Sequence, residues 1–117
     1  MSASGVTDTA PGHLLVASRG PWSGPGAARF LADAAALAET GVPVTVVLLG
    51  DGTPLAVAGG TVELVTLLDA GGEVWVDRFG AAQRGIAEIA LPEGARWVDM
   101  DDVAARLLDP DVRAVWH

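Results

Sequence analysis

Apolar positions in this chain fall into two patterns, short unbroken runs and helical spacing, and the two take turns. Leu14-Leu15-Val16-Ala17 is a continuous apolar run, the mark of a strand buried on both faces. The stretch Ser18 to Gly26 is rich in turn formers. Ser23 or Gly24 is placed to cap the next helix, with Pro25 in its first turn, where no amide hydrogen is missed. Ala27, Phe30, Leu31, Ala34, Leu37 and Ala38 recur at helical spacing and predict a helix to about Thr40, stopped by Gly41.

Val44-Thr45-Val46-Val47-Leu48-Leu49 is β-branched and uninterrupted, the clearest strand of the chain. Gly50-Asp51-Gly52 turns it, and Thr53 to Ala58 reads as a short helical piece. Val62, Val65 and Leu68 recur at helical spacing and predict a helix over Thr61–Asp69, closed by Gly71-Gly72. A third strand is predicted at Glu73–Asp77. A helix from Phe79 to Ile89 follows, with Ala82, Ile86 and Ile89 inward. Trp97-Val98 is a brief strand, Asp101 or Asp102 caps a helix to Leu108, and Val112–Trp116 is a last strand.

Strands alternating with helices through short connections specify a parallel sheet covered on both sides. The expected fold is therefore α/β, a three-layer α/β/α arrangement with a mainly parallel sheet of about five strands. The 117 residues suit one domain, placed at 13–117, after a small, polar leader over 1–12 with no signal-peptide features. The longest apolar run, Val42 to Leu49, is too short to span a bilayer. A soluble, cytoplasmic protein is expected.

Composition narrows the chemistry. There is no cysteine, which excludes disulfides, thiolate metal sites and a cysteine nucleophile. Net charge is −8, and all seven basic residues are arginines scattered singly along the sequence. Nucleic acid and acidic membrane surfaces both require clustered positive charge, so neither is an expected partner. Without lysine, Schiff-base and Walker-type phosphate chemistry are excluded. His13 and His117, at opposite ends of the chain, read as solvated, and no His/Asp/Glu group has metal-ligand spacing. No metal and no cofactor is expected.

In an open α/β sheet a ligand site lies beyond the carboxyl ends of the strands. That edge collects Arg19–Gly26, Gly50–Thr53, Asp77–Gly80 and Asp99–Asp101. The first loop has glycines at 20, 24 and 26, a spacing unlike the dinucleotide fingerprint, and two prolines that remove amide donors. A nucleotide site at Ser23–Gly26 is accordingly a minor alternative to a plain turn. Asp51 reads as a turn residue, with ribose binding as the alternative. Asp99, Asp101 and Asp102 read as caps rather than as a weak cation site. Trp75 is expected in the core, while Trp22 and Trp116 either pack on the sheet edge or anchor an interface.

The stretch from Val74 to Ile86 carries the most information. Asp77 ends a strand where a helix begins, the position of an N-cap, and Arg84 is near enough in sequence to pair with a surface carboxylate. This segment resembles the DsrE/DsrF-like sulfur-relay family, which includes the TusBCD-type subunits. In that family a strand ends in a reactive cysteine and a small-residue helix carries Arg-Gly-Ile seven to nine positions later; here Asp77 is followed by Arg84-Gly85-Ile86. Leu48-Leu49-Gly50-Asp51-Gly52 matches the family's second-strand turn, Val115-Trp116 its last strand, and the likeness spans about Leu14 to Trp116. It implies a DsrE-like, Rossmann-like fold.

The departure from the family pattern decides the expected role. Active relay subunits carry sulfur as a persulfide on the cysteine, whose thiolate is favoured by the helix start. Asp77 keeps the negative charge but holds no sulfane sulfur. The family also contains subunits without the cysteine, found as partners inside ring-like hexamers. The resemblance thus implies a non-catalytic subunit or regulatory partner, homo-oligomeric or joined to related DsrE-like chains. Its interface would use the small-residue helices, and Trp22 or Trp116. The alternative is a small-molecule binder or enzyme in the strand-end cleft, with Asp77 as polar or acid/base group and Arg84 holding an anion. Candidate pocket residues under either reading are Asp77, Arg84, Gly85, Asp51, Gly52 and Trp22.

Overall fold

In the computed structural model, residues 12–20, 22, 24–59, 61–86 and 91–117 are described. The expected leader over 1–12 lies outside them, save Gly12, which opens the first strand. So do Ser23, proposed as a helix cap, and Ile89. Five strands form one sheet: β1 (Gly12–Ala17), β2 (Val44–Leu48), β3 (Glu73–Asp77), β4 (Ala95–Val98) and β5 (Val112–Trp116). The helices are α1 (Gly26–Glu39), α2 (Val62–Asp69), α3 (Arg78–Gln83) and α4 (Met100–Leu107), with a 3₁₀ segment at Gly50–Gly59. Strand order is β4-β3-β2-β1-β5 and every pairing is parallel.

Register places alternate residues on opposite faces of the sheet. Leu15, Ala17, Val46, Leu48, Val74 and Val76 pack with α1, α2 and the Leu55-Ala56 corner of the 3₁₀ segment. Leu14, Val16, Val47, Trp75 and Val98 lie on the other face, where α4 contributes Val103. The result is the three-layer α/β/α fold expected. The central strand β2 is buried end to end, and its sequence is apolar except for Thr45, whose hydroxyl donates to Glu73 Oε1 at 3.1 Å. Trp75 is in the core as expected, flanked by the guanidinium groups of Arg96 and Arg106 at 4.6 and 5.0 Å from its ring. Among the described residues no helix is long and apolar enough to cross a membrane.

Several local expectations change. In α2 the buried side chains are Leu64 and Leu67, while Val62 is 78% and Val65 42% exposed. Five of its eight residues are apolar, so spacing alone could select the wrong stripe. The cap of α1 is Pro25, with no side-chain bond. Of the three aspartates read as caps of α4, Asp99 is the N-cap, and its amide donates to Asp102 Oδ2 at 3.0 Å. Helix α3 ends at Gln83, not near Ile89. Its Ala82 is exposed, and Gly80 and Ala81 are the buried positions. The histidines are half-buried rather than solvated, His117 stacking on Phe30 at 5.0 Å.

Candidate functional site

Two neighbouring strands lead their chain to opposite sides of the sheet. β3 passes into α3, which packs against the 3₁₀ segment on the α1 side, whereas β4 passes into α4 on the other side. Their carboxyl ends diverge, and such a divergence is where open α/β sheets form binding crevices. Asp77 sits at this point, in register with Val98.

Asp77 has extended backbone angles and caps α3, as its sequence position predicts. Its Oδ1 accepts from the Phe79 amide at 3.2 Å and its Oδ2 from the Gly80 amide at 3.1 Å. The side chain is 6% exposed, so the carboxylate is enclosed by the helix it starts. Gly80 is required for that enclosure: a Cβ there would lie 2.6 Å from Asp77 Oδ2. The two amide donors at the helix start thus satisfy both carboxylate oxygens.

Arg84, the C-cap of α3, does pair with a carboxylate as expected, and the partner is Asp51. Its Nε and Nη2 donate to Asp51 Oδ1 at 3.0 and 2.8 Å, and its Nη1 donates to the Gly80 carbonyl at 3.0 Å. One side chain thus ties the 3₁₀ segment to the C-terminal end of α3 and to the Gly80 carbonyl within it. Gly85 has φ +71, and the amides of Gly85 and Ile86 bond to the carbonyls of Ala82 and Ala81. This is the Schellman closure of a helix, which gives the Arg84-Gly85-Ile86 motif a structural basis. Gly52 lies against the Ala17 carbonyl, too close for any Cβ.

The structure therefore gathers Asp77, Arg84, Gly85 and Asp51 around α3 and holds Gly52 at the adjoining turn. It does not bring in Trp22, which lies over Gly20 at the exit of β1, two strands away, and is 64% exposed. Asp99, read from the sequence only as a cap, also pairs with Arg78: its Oδ1 meets Arg78 Nη1 at 3.4 Å and joins the starts of α3 and α4, a contact 21 residues apart that no local spacing signals. No group of three or more His, Asp or Glu side chains among the described residues is arranged to hold a metal ion. Chemically, the site provides a buried, amide-bound carboxylate and an engaged arginine.

The fold and this strand–helix junction together define a three-layer α/β protein with an all-parallel five-stranded sheet, and they fit the DsrE-like fold expected from the sequence. A solved structure, that of the ychN protein from E. coli, is similar to it at a TM-score of 0.81. The two share 19% identity over 92% of this chain and 99% of the other, a likeness of fold. No protein-family model matches the sequence, and no curated protein matches it.

Proposed function

We propose that this protein is a non-catalytic DsrE-like subunit, a structural or regulatory partner in an oligomeric sulfur-relay-type assembly. The observation that carries the reading is Asp77: a carboxylate stands at the strand–helix junction where relay subunits keep their cysteine, and both its oxygens are bound by α3 amides. Such a group preserves the local charge and the helix start while offering no sulfur nucleophile. The cysteine-free sequence supports the same view, since no other thiol substitutes for it. Exposed Val115 and Trp116 on the edge strand β5 supply apolar surface for an interface.

Ligand binding at Asp77 and Arg84 is less well supported, because each is already engaged within the chain. The test is light scattering on the purified chain, alone and mixed with a cysteine-bearing DsrE-like protein. A stoichiometric oligomer is expected in at least one arm, unaltered by Asp77→Asn. A strict monomer in both arms contradicts the assembly, and turnover or ligand binding abolished by Asp77→Asn favours the alternative.

A further inference from the structure

The carboxyl-terminal ends of α1 and α2 lie side by side, and their charges have the wrong sign. A helix C-terminus carries partial negative charge and is stabilised by nearby cations. Neither helix has a basic residue in its last turn, and each ends on an acid, Glu39 in α1 and Asp69 in α2. Both side chains line one cleft of about 630 Å³ between the two helix ends.

That cleft continues along the groove between the helices, where Ala32 and Ala36 of α1 face Val62 of α2, rimmed by Glu39 and Glu63. On the far flank of α2, Val65, Asp69 and Glu93 line a further cleft of about 410 Å³. Among the described residues no arginine lines these clefts, and none of the four carboxylates is in an ion pair. An apolar, small-residue floor therefore lies inside an unneutralised acidic rim. Val62 on this floor and Val65 on the far flank of α2 are both left uncovered.

We infer that the α1–α2 face is a docking surface for a basic amphipathic helix of another protein. Its apolar edge would lie on Ala32, Ala36 and Val62, where the small side chains permit close approach. Its lysines or arginines would lie over Glu39, Glu63 and Asp69. A second copy fits poorly, because it brings a net charge of −8 to a face that is already acidic. Of the arginines on this chain's helices, Arg78 and Arg106 already pair with Asp99 and Glu73, which leaves Arg29. This inference concerns a different face from the Asp77 junction and does not depend on the assembly proposed above.

The probe is a synthetic amphipathic peptide of leucine and lysine at helical spacing, with a control carrying glutamate for each lysine. Both are titrated into the full chain at physiological salt and followed by amide chemical shifts and calorimetry. The lysine peptide is expected to bind with shifts confined to α1 and α2, and the glutamate peptide not to bind. Glu39→Lys with Asp69→Lys should weaken binding by roughly tenfold or more. Asp109→Lys with Asp111→Lys, an equal change of net charge at a remote turn, should alter it by less than about twofold. Both variants should remain folded, since these positions are exposed. Equal weakening by the two pairs, shifts spread over other elements, binding of the glutamate peptide, or no binding at all would each overturn the inference. So would a change in oligomeric state specific to the Glu39/Asp69 pair, which would assign the face to a second copy.

Discussion

Asp77 commits both carboxylate oxygens to the amides of Phe79 and Gly80, so its first effect is on the stability of α3. Replacing it with alanine should cost about 2 kcal/mol, and asparagine, whose Nδ2 cannot accept from the second amide, about 1 kcal/mol. Urea denaturation midpoints of the two variants check this, and equal costs would mean that the carboxylate does more than cap. Gly85 carries φ +71, so Gly85→Ala should destabilise by about 1 kcal/mol. Arg84→Gln should cost under about 1 kcal/mol, since the Arg84–Asp51 pair is partly exposed and solvent-screened. That contrast within one tripeptide separates a backbone requirement from a surface ion pair.

Among the elements, the strands were the most legible in the sequence, for a physical reason. A strand covered on both faces needs apolar residues almost throughout, and Val46 to Leu48 and Val74 to Val76 are such runs. Helix faces were less legible where apolar residues surround the axis. In α2, positions 62, 64, 65, 67 and 68 are all apolar, and only the tertiary fold selects Leu64 and Leu67. Leu64→Ala should therefore cost about 2–5 kcal/mol, and Val62→Ser should stay within about 0.5 kcal/mol. Thermal or chemical unfolding measures both, and the reverse order would restore the stripe expected from spacing. The helix ends offer a second test. Glu39→Lys and Asp69→Lys should each raise stability by about 0.3–1 kcal/mol at low salt, with the gain fading as salt increases.

For the whole molecule, alternation of strands and helices was enough to specify the three-layer class, but strand order was not legible. The strand sequences and their connections contain no local signal that sets β5 beside β1 rather than β4. The site was half legible. Asp77 as a cap and Arg84 as a pairing partner follow from residue type and spacing, and both are found in those places. The enclosure of Asp77 and the separation of Trp22 from it depend on long-range packing. A capping carboxylate at the strand–helix junction, in a sequence with no cysteine, is the feature on which the proposed role rests.

The most direct measurement of that role is the mass of the species the chain forms in solution. Native mass spectrometry of the wild-type protein and of Asp77→Asn, each alone and with a cysteine-bearing protein of DsrE-like fold, should give the same discrete oligomer for both forms. A protein that stays a single 117-residue unit in every mixture, or one whose association vanishes with the carboxylate charge, would contradict the account.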